Sequence, residues 1–215
     1  MKVFRISGEL KTIIFDIDST LYTNEAYARE QVDVQVRYYA ELRGIPADTA
    51  RSQVQAYREK WAAEHNGAGI SLGNTLAAFG IPIETSIRWR EELLEPSRFL
   101  ERDSRLAETF ELLRNRFSLI AVTNNPVLPA RKTLEALGAD PFISEIIGLD
   151  TCGVSKPHRA PFLLAAEKSG VQAENCLAVG DRYDIDIALP LELGMGGILV
   201  DGVTDVYKLP SLLLP

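Results

Sequence analysis

The stretch that decides the fold is Thr12-Ile13-Ile14-Phe15-Asp16-Ile17-Asp18-Ser19-Thr20-Leu21. A short, mostly β-branched run ends abruptly in two aspartates one residue apart. Such a run suits a strand buried on both faces, as in a parallel sheet. Four similar runs follow: Leu119 to Val122, Ile146 to Leu149, Leu177 to Val179 and Ile198 to Val200. Helical patterns fill the gaps, roughly Ser104 to Asn115, Val127 to Leu137, Ala160 to Ser169 and Asp184 to Leu193. This alternation predicts an α/β domain with a doubly wound parallel sheet. The first ten residues add either an extra strand or a loose arm, and the sequence leaves that choice open.

Between the first strand and the helix at Ser104 lies a block of different texture, from about Tyr22 to Glu95. It reads as four helices. Asn24 is placed to cap a segment running to Leu42, with Gly44 as its stop. Asp48 is placed to cap a second helix with its body at Ala50 to Glu64, ended by Asn66-Gly67. A third runs from Leu72 to Phe79 and stops at Gly80. The fourth runs from Glu84 to Leu94, between Pro82 and Pro96. Val32, Val36 and Tyr39, like Val54, Tyr57 and Trp61, recur at helical spacing and form packing stripes. The expected organisation is a core domain of residues 1–21 and 96–215, interrupted by an all-helical domain of residues 22–95.

Composition narrows the function. With 46% hydrophobic and 25% charged residues, the 215-residue chain is an ordinary globular protein and not a disordered one. No apolar run approaches the roughly eighteen residues of a membrane span. No signal peptide is visible at Met1-Lys2-Val3-Phe4-Arg5, so a cytoplasmic location is expected. The net charge of −7 disfavours nucleic acid and anionic membrane as partners. Cys152 and Cys176 form no C-x-x-C, which disfavours a disulfide framework or structural zinc, and both read as inert thiols.

Ligands of open parallel sheets bind beyond the carboxyl ends of the strands. The first strand ends in Asp16-Ile17-Asp18-Ser19-Thr20, the second in Thr123-Asn124-Asn125-Pro126. The third leads through Asp150 into a loop carrying Lys156-Pro157, and the fourth ends in Gly180-Asp181 with Asp184 and Asp186 beyond. If Asp16, Asp18, Asp181 and Asp186 converge against one lysine, about three negative charges remain, too many to hold together without a cation. An all-oxygen site of this kind calls for a hard divalent ion, Mg²⁺ foremost. A phosphate would need further donors: Lys156, Thr123, and N–H groups at the start of the helix after Pro126.

These four segments, in this order, resemble the motifs of the haloacid dehalogenase superfamily of phosphohydrolases, and the resemblance spans nearly the whole chain. Asp16-Ile17-Asp18-Ser19-Thr20-Leu21 is similar to D-x-D-x-T, with Ser19 where glycine is more frequent. Thr123-Asn124, Lys156-Pro157 and Gly180-Asp181 followed by Asp186 are similar to the second, third and fourth motifs. The helical block resembles the superfamily's helical cap, and the core its Rossmann-like fold. The resemblance implies that Asp16 is the nucleophile and forms an aspartyl-phosphate, and that Asp18 is the general acid and then base. It implies that Thr20 orients Asp18 and belongs with Thr123, Asn124 and Lys156 to the phosphate-binding set. Mg²⁺ would be held by Asp16, the Asp18 carbonyl and Asp181, with Asp186 as a ligand or just behind one. The second aspartate, Asp18, favours phosphoester chemistry over dehalogenation.

The first motif and Gly73-Asn74-Thr75-Leu76 are also similar to the pyrimidine 5′-nucleotidase-like branch. That makes a nucleoside monophosphate the leading substrate class, with phosphoglycolate or a sugar phosphate as alternatives. A phosphomutase, with Arg88 and Arg90 on the cap, and a non-enzymatic phosphoryl-sensing protein are the competing readings. The expected assembly is a monomer or homodimer. His65 reads as a helix terminator, His158 as a loop residue, Asp184 as a capping or surface residue, and Arg182 as either a salt-bridge partner or a solvent-facing side chain.

Overall fold

The computed structural model describes every residue except Ser7 and Ala68, which lie in the expected amino-terminal arm and in the His65 to Gly69 loop. Among the described residues six strands are present: β1 (Lys2–Arg5), β2 (Thr12–Phe15), β3 (Ser118–Val122), β4 (Glu145–Ile147), β5 (Cys176–Gly180) and β6 (Gly196–Leu199). The helices are α1 (Glu25–Arg43), α2 (Ala47–Glu64), α3 (Leu72–Ala78), α4 (Ile83–Leu93), α5 (Ser104–Arg114), α6 (Val127–Leu137), α7 (Leu149–Cys152), α8 (Arg159–Lys168), α9 (Ala188–Glu192), α10 (Val203–Val206) and α11 (Leu209–Leu213).

The strands form one sheet in the order β1-β6-β5-β2-β3-β4. All neighbours run parallel except β1, which pairs antiparallel with the edge of β6. The amino-terminal segment is therefore a strand. Its residues are exposed except for a half-buried Phe4, so no buried face marks it in the sequence, and pairing with a strand almost two hundred residues away gives it structure. Strand β2 is central and buried along its whole length. Chain order runs outward from it in both directions, through β3 and β4 on one side and β5 and β6 on the other. Its carboxyl end is thus the switch point where an open sheet leaves a crevice.

One core cluster packs Ile14, Ile120, Val122 and Ile147 of the sheet against Phe162, Ala165 and Ala166 of α8. Phe15 meets Phe110 of α5 with ring centroids 5.0 Å apart. The predicted helix from Asp184 to Leu193 is instead a π-turn at Tyr183–Ile187 followed by α9. The wider turn is what brings Asp186 back over Gly180, as described below.

The chain divides into two compact units, Met1–Asn24 with Pro96–Pro215, and Glu25–Glu95. The second begins at Glu25 rather than Tyr22. Tyr22 and Asn24 are tied into the first unit, Tyr22 through Asp18 and Asn24 by donating to the Phe99 carbonyl at 2.8 Å. Within the second unit Val36, Tyr39 and Ala40 of α1 pack with Ala50 and Val54 of α2, Leu76 of α3 and Trp89 of α4. Pro46, not Asp48, occupies the N-cap of α2, and Asp48 lies in its first turn. Among the described residues no helix is long and apolar enough to cross a membrane.

Candidate active site

The chain leaves β2 through a tight helical turn in which Thr20 and Leu21 both donate their N–H groups to the Ile17 carbonyl. Ser19 sits there at φ 61, a left-handed conformation that glycine adopts more cheaply. The turn puts residues four apart on one face. Each aspartate consequently receives a hydroxyl from four residues on. Thr20 Oγ1 donates to Asp16 Oδ2 at 3.2 Å, and Tyr22 Oη donates to Asp18 Oδ1 at 2.6 Å. The expectation that Thr20 orients Asp18 is corrected: Thr20 serves Asp16, and the tyrosine serves Asp18.

Lys156 reaches the same place from the loop after α7. Its Nζ donates to Asp16 Oδ1 and Asp186 Oδ1, both at 2.7 Å, and the three side chains are 1–2% exposed. Burial alone would strip the lysine of its proton, but the charges of Asp16 and Asp186 overcome this and hold the ammonium above its usual range. The loop itself is held by Asn124. Its Oδ1 accepts from the Lys156 N–H at 2.7 Å and its Nδ2 donates to the Lys156 carbonyl at 3.2 Å. Asn124 was expected at the phosphate. In the structure its side-chain amide bonds the lysine's backbone on both sides and so fixes where Lys156 sits.

Asp181 and Asp186 follow β5. A side chain on Gly180 would place its Cβ 2.4 Å from Asp186 Cβ, so glycine is required for the π-turn to fold back over the strand end. Asp186 Oδ2 accepts from the Arg182 N–H at 3.1 Å, which holds the turn closed. Burial and the neighbouring Asp16 charge push the Asp186 carboxyl up. Burial, then Asp16 and Asp186, push Asp181 up to about 6.

Asp16, Asp181 and Asp186 each offer a carboxylate oxygen within 4.8 Å of the others. Asp18 is not in this group. The convergence is of three carboxylates, not four, and against Lys156 the balance is −2 (three negative charges, one positive). Asp181 Oδ1 is buried and has no hydrogen-bond partner, with Arg182 Nε 3.8 Å away. A buried, unsatisfied carboxylate oxygen on a residue clustered with two other carboxylates suits a hard divalent cation, whose two charges would neutralise the cluster. The donor set fits such an ion.

Asp18 faces a different set of groups. Asn125 Nδ2 donates to its Oδ2 at 2.9 Å, and Thr123 Oγ1 approaches the same oxygen at 3.4 Å. Thr123 Oγ1 also accepts the Asn125 N–H at 3.1 Å. The Val127 N–H at the start of α6 donates to Asp150 Oδ1 at 2.9 Å. Two N–H groups expected to face an anion are therefore already engaged, while Lys156 Nζ and the Thr123 hydroxyl stand at this edge beside Asp16 and Asp18. Sequence reading missed Tyr22 and Asn125. The signal for Tyr22 was its spacing of four from Asp18, the same as Thr20 from Asp16. Nothing in the doubled Asn124-Asn125 says that one amide turns to the lysine loop and the other to Asp18.

Residues 10–193 match the family model of haloacid dehalogenase-like hydrolases. The chain belongs to this family. It is 25% identical to the 5-amino-6-(5-phospho-D-ribitylamino)uracil phosphatase YigB of Escherichia coli (strain K12), over 91% of this chain and 85% of that protein. It is 29% identical to the phosphoglycolate phosphatase of Shigella boydii serotype 4 (strain Sb227), over 84% of this chain and 77% of that protein. Among solved structures, a haloacid dehalogenase-type phosphatase from Thermococcus onnurineus superposes with a TM-score of 0.65. It is 19% identical and covers 95% of this chain and 98% of its own. The protein is an enzyme, a hydrolase of the phosphatase kind.

Proposed function

We propose that this phosphomonoester hydrolase works by nucleophilic attack of Asp16, with Asp18 as acid and base, on the phosphate ester of a small primary alcohol. The observation that carries the reading is the division of labour between the two aspartates. Asp16 is buried against Lys156, paired and hydrogen-bonded, which suits a nucleophile that must stay ionised. Asp18 stands outside the cation cluster, half-buried and held at both oxygens by neutral donors, which suits a group that gains and loses a proton.

In the first step an Asp16 carboxylate oxygen bonds to phosphorus as the ester P–O bond breaks, and Asp18 gives its proton to the departing alkoxide. In the second, Asp18 takes a proton from water as that water's oxygen bonds to phosphorus. The Asp16–phosphorus bond breaks and inorganic phosphate leaves. Lys156 stays charged throughout, beside the oxygens that carry the transferring charge, and Thr123 offers its hydroxyl to them. Mg²⁺ held by Asp16 and Asp181, with the Asp18 carbonyl and with Asp186 behind, would supply the remaining positive charge for a dianionic phosphate. Asp186 is placed chiefly to fix Lys156.

The substrates printed in the relatives' names and a nucleoside 5′-monophosphate share one feature, a phosphate on a primary carbon. Their leaving groups are basic alkoxides, which need an acid such as Asp18. The test is phosphate release from nucleoside 5′-monophosphates, phosphoglycolate and sugar phosphates, with Mg²⁺ and with EDTA, and with Asp16→Asn run alongside. EDTA-sensitive release from at least one class, absent in Asp16→Asn, is the expected result. Equal release by the wild type and Asp16→Asn overturns the reading.

A further inference from the structure

We infer that Tyr22 and Asn125 form a clamp that sets the direction of the Asp18 carboxyl, and that Tyr22 is thereby a positioning residue for proton delivery to the leaving group. The inference rests on the reading of Asp18 as the general acid and deepens it.

The geometry is specific. Tyr22 is 4% exposed, yet its hydroxyl is not left to burial alone: it donates to Asp18 Oδ1 at 2.6 Å. Asn125 Nδ2 donates to the other oxygen at 2.9 Å. Two donors on the two oxygens fix both χ angles of a short side chain, because rotating the carboxyl plane breaks at least one bond. The supports are rigid. Tyr22 stands at the end of the turn closed by the Ile17 carbonyl. Asn125 is pinned by its own N–H to Thr123 Oγ1, while its carbonyl accepts the Leu149 N–H at 3.0 Å. A tyrosine hydroxyl also donates and accepts, so it keeps its bond whichever protonation state Asp18 holds, whereas a phenylalanine ring has no such bond to keep. Proton transfer to a departing oxygen depends steeply on where the acid points, and a small misplacement costs rate at that step alone.

The test uses two esters of the same shape and different leaving groups, 4-nitrophenyl phosphate and phenyl phosphate. Nitrophenolate departs without help, whereas phenolate departs faster with a proton. The readout is the ratio of kcat/KM on the two esters, measured on one preparation, so any loss of folded enzyme cancels. Asp18→Asn should lower the phenyl-to-nitrophenyl ratio by roughly 10²-fold or more if Asp18 is the acid. Tyr22→Phe should lower it roughly tenfold, in the same direction, with the larger share of the loss on phenyl phosphate. Asn125→Ala should do likewise.

A ratio unchanged in both Tyr22→Phe and Asn125→Ala, while Asp18→Asn moves it, overturns the clamp and leaves the acid role standing. An equal loss on both esters in those two variants has the same meaning, since it marks a merely structural role. A ratio that Asp18→Asn itself does not move defeats the acid reading and the clamp with it.

Discussion

In one unit of the molecule Lys156 lies between Asp16 and Asp186, with all three side chains 1–2% exposed. In the other, Arg37 and Arg51 share Asp33 and reach on to Glu30 and Asp48, and these side chains are 25% to 95% exposed. The residue types are nearly the same, and the surroundings decide what they do. In water-facing positions an ion-pair network gains a little Coulomb energy and is screened by salt. In the buried cluster each charge has lost its hydration, and carboxylates outnumber the lysine. A stability role would favour apolar side chains there. An excess of buried carboxylate fits a site that could hold a cation.

The largest effect in this comparison should come from Lys156→Met. It leaves the buried carboxylates without their cation, and breaking such a pair costs about 3 kcal/mol or more. Activity should fall roughly 10²- to 10³-fold as well, because the charge opposite the transferring phosphate is gone. Urea denaturation and phosphate release check both. A stable variant of unchanged turnover would remove the contrast between the two clusters.

Next in size is metal binding. Mg²⁺ at about a hundred times its Kd should stabilise the wild type by about 2.7 kcal/mol, and EDTA should reverse it. Asp181→Asn should lose most of this response without losing the fold, since Asp181 Oδ1 accepts no hydrogen bond and faces only the half-exposed Arg182 Nε at 3.8 Å. A thermal melt with and without Mg²⁺ reads the difference. An Asp181→Asn melt that still responds fully to Mg²⁺ would place the ion elsewhere.

How much of this was legible beforehand varies with range. Strand β2 is readable because its apolar run is unbroken, and its aspartates are readable because they follow it immediately. Strand β1 is not, since Lys2-Val3-Phe4-Arg5 pairs with β6 across the whole chain. The same limit hid the roles of Asn124 and Asn125. Each is decided by a partner about thirty or a hundred residues away, Lys156 or Asp18, and by which way a side chain turns at the end of β3. Asp205 is a further case. It lies on α10, buried, and accepts from Lys208 Nζ at 2.6 Å and from the Asp201 N–H at 3.0 Å, partners not singled out in the sequence.

Asp205 also sharpens the comparison at acid pH. The Lys208 hydrogen bond above all holds its carboxyl well below the usual range. A depressed carboxyl contributes stability that is complete above about pH 4, the ordinary carboxylate value, and is lost as pH falls toward the folded one. Asp205→Asn should therefore be less stable than the wild type at pH 7, by about 1.5 kcal/mol. The gap should narrow as the pH falls below 4. Urea melts across pH check this; a gap that is constant with pH would show that the charge is not what matters.

The smallest effect should come from the exposed network. Asp33→Ala removes the shared partner of Arg37 and Arg51, yet should cost no more than about 1 kcal/mol and shrink further in high salt. Phosphate release should not change. A loss as large as that of Lys156→Met would mean that burial does not separate the two clusters.

The central claim is that Asp16 takes the phosphoryl group. Rapid acid quenching of Mg²⁺-loaded enzyme during turnover, followed by mass analysis of the peptide spanning Asp16, tests it directly. The mass of one added phosphoryl group is expected on that peptide in the wild type and none in Asp16→Asn. A wild-type enzyme that turns over while this peptide never gains the group, under quench times shorter than one turnover, would contradict it.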